Sequence, residues 1–136
     1  MTWLLDTNIV SELRKGERAN PGLRAWFAEA EEESLFTSVL VVGELRRGIE
    51  SIRRRDAPSA LALDHWLAGL TDGFADRILP VDRAVAEQWG RLNVPDPVPT
   101  VDGLLAATAL VHGLTLVTRN TRDVVRTGVS VLDPTS

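Results

Sequence analysis

Leu4-Leu5-Asp6-Thr7-Asn8 is the stretch whose reading decides the fold. Trp3, Leu4 and Leu5 make a short apolar run suited to a buried parallel strand, and the run stops at a carboxylate. Thr7 or Asn8 can cap a helix through Ile9-Val10-Ser11-Glu12-Leu13, so the chain turns from strand into helix at Asp6. In open α/β sheets ligands sit outside the carboxyl ends of the strands, which is where Asp6 falls. Asp6 is equally readable as a helix N-cap with no further role. The choice between the two depends on whether other acids recur at comparable places.

Three more do. Glu44 belongs to a helix expected from Val39 to Arg54, one position off the apolar stripe of Val41, Leu45, Ile49 and Ile52. A carboxylate at the margin of a buried face is costly unless Arg47, one turn on, or a bound cation balances it. Asp102 falls in the first turn of a helix beginning at Thr100, where the helix dipole by itself favours an acid. It shares one face with Ala106, Ala109 and Gly113, small residues that let the helix lie close to a sheet and carry the carboxylate towards the strand ends. Leu114 to Thr118 reads as a further strand leading to Asn120 and Asp123. Asp123 is expected in the first turn of the next helix, where the helix dipole or Arg126 explains it as well as a site would.

Around these stretches the chain alternates. Pro21 opens a helix with Leu23, Trp26, Phe27 and Ala30 as core, and Leu35-Phe36-Thr37 makes a second strand with Ser38 as the following cap. Pro58 opens another helix, its apolar residues Leu61, Leu63, Trp66, Leu67 and Leu70. Ile78 to Val81 suits a third strand, and Asp82 caps a helix bearing Val85, Ala86, Trp89 and Leu92. Prolines at 95, 97 and 99 imply a stiff, extended connection, and Val129 to Leu132 a fifth strand. Alternating strands and helices argue for a parallel sheet covered on both faces.

Composition narrows the chemistry. With 136 residues one domain suffices, and a core of that size needs no metal or disulfide to fold. There is no cysteine and only two histidines, His65 and His112, so a bound metal should be a hard one held by oxygen. Net charge is −4, which argues against a general nucleic-acid coating protein but leaves room for an enzyme with a local basic strip. Lys15 is the only lysine, every other basic residue being arginine. The longest apolar run, Leu104 to Val111, is too short to span a bilayer, and the N-terminus has no signal-peptide pattern, so a soluble cytoplasmic protein without membrane contact is expected.

Several carboxylates cannot share a small site fully ionised unless a cation balances them. Mg²⁺ suits, because it takes one or two carboxylates, keeps waters and accepts phosphate oxygens. Asp6, Glu44, Asp102 and the Asn120–Asp123 pair therefore point to metal-dependent hydrolysis of a phosphodiester, substrate unspecified. A phosphoacceptor receiver domain would want an acidic pair after the first strand and a lysine after the last. A haloacid-dehalogenase-like phosphatase would want Asp-x-Asp where Asp6-Thr7-Asn8 stands, and its own lysine.

Four blocks, in order and at the right spacing, resemble the PIN-domain family. They are Leu4 to Asn8, Val42-Gly43-Glu44-Leu45-Arg46-Arg47-Gly48, Asp102-Gly103-Leu104-Leu105-Ala106-Ala107-Thr108-Ala109, and Leu116-Val117-Thr118-Arg119-Asn120-Thr121-Arg122-Asp123. Within the family the likeness is to the VapC toxins of bacterial toxin–antitoxin pairs, including the FitB-like branch, and it runs from Trp3 to about Pro134. It implies a single PIN domain over residues 1–136, a three-layer α/β/α fold with a five-stranded parallel sheet in order 3-2-1-4-5.

By the same resemblance Asp6, Glu44 and Asp102 are metal-binding and catalytic carboxylates, with Thr7 and Thr118 assisting by hydrogen bonding; Asn120 and Asp123 are the further catalytic candidates, Asn120 orienting water or phosphate through its amide and Asp123 able to turn inward as the missing carboxylate. Many PIN domains carry a fourth acid where this chain has Asn120. The implied activity is that of a Mg²⁺- or Mn²⁺-dependent endoribonuclease cleaving tRNA or rRNA to arrest translation. The implied partners are the RNA and a cognate VapB-like antitoxin, with a homodimer assembling into a heterotetramer or larger complex with that antitoxin. The competing reading is a catalytically silent PIN fold that only binds an antitoxin-like protein.

Overall fold

The computed structural model describes residues 1–135. Five parallel strands form one sheet in the order β3-β2-β1-β4-β5. They are β1 (Trp3–Leu5), β2 (Leu35–Ser38), β3 (Ile78–Leu79), β4 (Thr115–Val117) and β5 (Val131–Leu132). Six helices accompany them: α1 (Thr7–Leu13), α2 (Pro21–Glu29), α3 (Val39–Arg53), α4 (Ala57–Phe74), α5 (Arg83–Leu92) and α6 (Thr100–His112). The sheet order matches the expectation, and strands alternate with helices up to β4.

β1 lies at the centre because it is apolar without interruption. Leu4 and Leu5 are almost fully buried, as are Leu116 and Val117 of β4 beside them. Trp3 stands opposite Leu35 on one side and Thr115 on the other. From β1 the chain winds outward to β2 and β3, and from β4 to β5, so the winding direction reverses between β1 and β4. That reversal opens a crevice at the carboxyl ends of these two strands. Asp6 follows β1 and Thr118 follows β4, one residue beyond each strand.

Several expectations are corrected. Phe27 and Leu61 are exposed, at 40% and 56%, so α2 and α4 use Leu23, Ala60 and Leu67 as their fully buried residues instead. Val81 lies outside β3 and is also exposed. The proline-rich stretch is not simply extended. It contains a cis Val94–Pro95 bond, and Asn93 Oδ1 accepts from Val98 N at 2.9 Å, which folds Val98 inward. No α-helix joins β4 to β5; among the described residues only a single 3₁₀ turn, Val125–Thr127, intervenes, and Asp123 precedes it in a loop.

Small residues set how closely α6 packs. Ala106, Ala107 and Ala109 are fully buried, and Gly113 ends the helix in the left-handed conformation at φ 66°. Next to Asp102, a Cβ on Gly103 would stand 3.2 Å from the Trp89 ring of α5 and 3.4 Å from Val98 Cβ. A Cβ on Gly69 of α4 would meet nothing within 4 Å. Gly69→Ala should therefore give the ordinary helix gain of about 0.5–1 kcal/mol, whereas Gly103→Ala should forfeit it to crowding. Chemical denaturation of the two variants checks this, and an equal gain at both positions would contradict the packing described.

Candidate functional site

Asp6 is both cap and core. Its Oδ1 accepts the Thr7 backbone N–H at 2.6 Å, which makes it the N-cap of α1, and its Oδ2 accepts the Thr118 hydroxyl at 2.7 Å. The residue is only 6% exposed. The two readings of Asp6 are therefore compatible, because one oxygen serves the helix and the other faces β4.

Thr118 spends its whole hydrogen-bonding capacity at this point. Its hydroxyl donates to Asp6 and accepts from Asn8 Nδ2 at 3.2 Å and Asn120 N at 3.0 Å. Asn120 then links the loop after β4 to α6. Its Nδ2 donates to Asp102 Oδ2 at 3.3 Å and to Asp123 Oδ2 at 3.0 Å. Asp123 thus joins the cluster through Asn120 and not from a helix turn. On the other side the Thr7 hydroxyl donates to Glu44 Oε1 at 2.5 Å. Arg47, offered by the sequence as the partner of Glu44, makes no ion pair with it within 4 Å.

Asp6, Glu44, Asp102, Asn120 and Asp123 therefore come together at the crevice, linked by Thr7 and Thr118. Burial raises the Asp6 carboxyl above its ordinary range; its hydrogen bonds to Thr118 and Thr7 oppose the rise, and the charge of Glu44 adds to it. Asp102 is raised chiefly by burial and then by the charges of Asp6, Asp123 and Glu44. Among the described residues none of the four acids has a Lys or Arg partner within 4 Å. The site has an uncompensated excess of negative charge.

Oxygen donors suit a hard divalent cation. Among the described residues no three Asp, Glu or His side chains stand together as a ready ligand cage. A Mg²⁺ ion here would therefore take one or two carboxylates directly and complete its octahedron with water and substrate oxygens. The donor set and its surplus charge fit such an ion.

The model for the PIN domain matches residues 3–128. The chain belongs to the PIN domain family. Toxin FitB of Neisseria gonorrhoeae is 32% identical over 138 residues, 96% of each chain. The VapC ribonuclease Y4jK of Sinorhizobium fredii is 31% identical over 140 residues, again 96% of each. Among solved structures, FitAcB from Neisseria gonorrhoeae superposes with a TM-score of 0.89 at 31% identity, covering 98% of both chains.

Glu12 was not singled out by its sequence context. It is buried in α1, and it accepts from Lys15 Nζ at 3.0 Å, Asn20 N at 2.9 Å and Arg119 Nη1 at 3.4 Å. The hydrogen bonds from Lys15 and Asn20 hold its carboxyl below the usual range. Lys15 at i+3 is a local signal for this cluster, but Arg119 lies 107 residues away in the chain.

The raised acids have a signed consequence for pH. A carboxyl that keeps its proton more tightly when folded favours the folded state where it is protonated. The stability tied to Asp6 and Asp102 is therefore fully present below about 3.9 and is lost as pH rises through their elevated values. Asp102→Asn should melt higher than wild type at pH 7 in EDTA, with the advantage fading towards acid, because the charge is removed and the one accepting oxygen can still serve Asn120. Asp6→Asn sets the same gain against a lost hydrogen bond, since both Asp6 oxygens accept and an amide has only one that can. Melting curves across pH decide it, and a lower Tm for Asp102→Asn at pH 7 would refute the account of burial and like charge.

Proposed function

We propose that this chain is a Mg²⁺- or Mn²⁺-dependent endoribonuclease, the toxin of a VapBC-type pair, which cleaves tRNA or rRNA and so arrests translation. The observation that supports this reading is the convergence of Asp6, Glu44, Asp102 and Asp123 at the β1–β4 crevice, none of them ion-paired to a Lys or Arg within 4 Å among the described residues. A purely structural set of acids would be expected to carry its own arginine or lysine partners. The likeness to Toxin FitB and to a VapC ribonuclease supports a toxin nuclease acting on RNA.

Asp6, Glu44 and Asp102 would hold the cation, one or two of them directly and the rest through its waters. Bound there, it would supply stabilisation for the charge that develops on the phosphate. The chain's own groups do the positioning. Thr118 and the Thr7 N–H fix both oxygens of Asp6, the Thr7 hydroxyl orients Glu44, and the Asn120 amide spans Asp102 and Asp123. Asp102 is half-buried, with its carboxyl raised by that burial and then by the charges of Asp6, Asp123 and Glu44, and so is suited to accept the proton of an attacking water. Asn120 contributes hydrogen bonding where many relatives place charge, which leaves Asp123 as the fourth acid.

The partner in this reading is a VapB-like antitoxin, with the toxin as a homodimer within a larger complex. A hollow begins at Thr7 and Glu44 and reaches Leu63 and Trp66, next to an apolar one lined by Leu13, Phe27, Leu70 and Phe74. A chain covering the acids would find apolar surface there. Among the described residues no helix is long and apolar enough to cross a membrane.

Cleavage of total RNA in Mg²⁺, in Mn²⁺ and in EDTA tests the proposal. Either metal should restore activity lost on chelation, while Asp6→Asn, Glu44→Gln and Asp102→Asn should each lower the rate by at least a hundredfold with the fold intact, roughly the scale of one positioned catalytic group. Activity that survives EDTA, or near-wild-type cleavage by Asp6→Asn, would remove the acidic site from the mechanism. Asp123→Asn should raise the Mg²⁺ concentration needed for half-maximal cleavage if it is the fourth acid, and an unchanged titration would exclude it.

A further inference from the structure

Next to the acids lies a second charged cluster with the opposite balance. Glu12 is 9% exposed, whereas the side chains of Lys15 and Arg119 that converge on its Oε1 are 50% and 47% exposed. One carboxylate against two cations leaves a local charge of +1 in a chain whose net charge is −4. Each cation uses one donor on Glu12, and most of the three ammonium and five guanidinium N–H groups remain available.

The position of this cluster is fixed from two sides. Glu12 is six residues along α1 from Asp6, so at about 1.5 Å per residue it lies roughly 9 Å away. Arg119 adjoins Asn120 in the chain, and its backbone N–H donates to Asn8 Oδ1 at 3.2 Å. The guanidinium is thus carried back along α1, away from the crevice and one to two nucleotides' length from it. A strand whose scissile phosphate lay at Asp6 would bring a flanking phosphate past Lys15 and Arg119.

We infer that Lys15 and Arg119, braced by the buried Glu12, form a subsite for a backbone phosphate flanking the scissile one in single-stranded RNA. This rests on the nuclease reading and deepens it. The need for it follows from charge: four clustered carboxylates repel a polyanion, and a cation at the centre relieves only the central phosphate. Other arginines lie near the loop after β4, but Lys15 and Arg119 are held in place before the strand arrives. Pre-ordering spares the entropy of fixing two long side chains on binding. Glu12 is a positioning residue; Lys15 and Arg119 are the groups that touch RNA.

Binding can be read without cleavage. A fluorescent single-stranded oligoribonucleotide is titrated with the chain in EDTA over a series of KCl concentrations, and anisotropy gives the affinity. Arg119→Gln and Lys15→Gln should each weaken binding several-fold and make the log–log salt dependence shallower by about 0.7, the value of one phosphate contact on a single strand. Arg119→Lys, which keeps the charge, should retain most of the wild-type slope. Binding and slope equal to wild type in both glutamine variants would overturn the inference, including the case in which the two cations serve a protein carboxylate instead. Parallel assays in Mg²⁺ keep the two readings apart. Loss of binding in the variants with no wild-type cleavage would count against the nuclease and for the subsite; wild-type cleavage with unaltered variant binding would do the reverse.

Discussion

The reactive edge of this protein depends on holding one carboxylate in place where burial disfavours its charge. Asp6 is held by a backbone N–H on one oxygen and a threonine hydroxyl on the other. Those bonds tie the β1–α1 junction to the end of β4, and β1 and β4 are the two strands between which the sheet reverses its winding. Remove the carboxylate's partners and the cost of burying it rises by about 1–3 kcal/mol for each unmet hydrogen bond. The same bonds that stabilise Asp6 therefore shape the crevice around it.

From Asp6 the site spreads through short polar side chains and not through salt bridges. Thr7 reaches Glu44, Thr118 reaches Asn120, and Asn120 reaches Asp102 and Asp123. Two of the three arginines of α3 are engaged elsewhere: Arg46 and Arg53 bind Glu50 and Asp64, pinning α3 to α4 on the surface. Acids at the crevice are left to one another, and structural acids receive the cations. This division of partners distinguishes the two groups more clearly than burial does, since Asp64 is also partly buried.

The strands and their order were legible because the sheet core is apolar without a break at Leu4-Leu5 and Leu116-Val117. Asp6 and Asp102 were legible because each ends or begins an element at a recognisable offset. Exposure of Phe27 and Leu61 was not, since helical spacing places a residue on a face without saying how far the neighbouring helix extends over it. The loop holding Asp123 was misread as a helix start, because one acid three residues after Asn120 fits a first turn as well as a loop. Glu12 passed unnoticed for a different reason. Its burial is made tolerable by Asn20 and Arg119, and contact with a residue 107 positions away leaves no local pattern.

The central claim is that the crevice acids lack, and therefore attract, a divalent cation. Titrating Mn²⁺ into the metal-free chain while reading free Mn²⁺ by electron paramagnetic resonance measures this without RNA or an antitoxin. The account predicts a saturable site in the wild type that is lost in an Asp6→Asn, Asp102→Asn double variant with an unchanged circular dichroism spectrum. Equal Mn²⁺ binding by the two proteins, or no binding by the wild type, would contradict it.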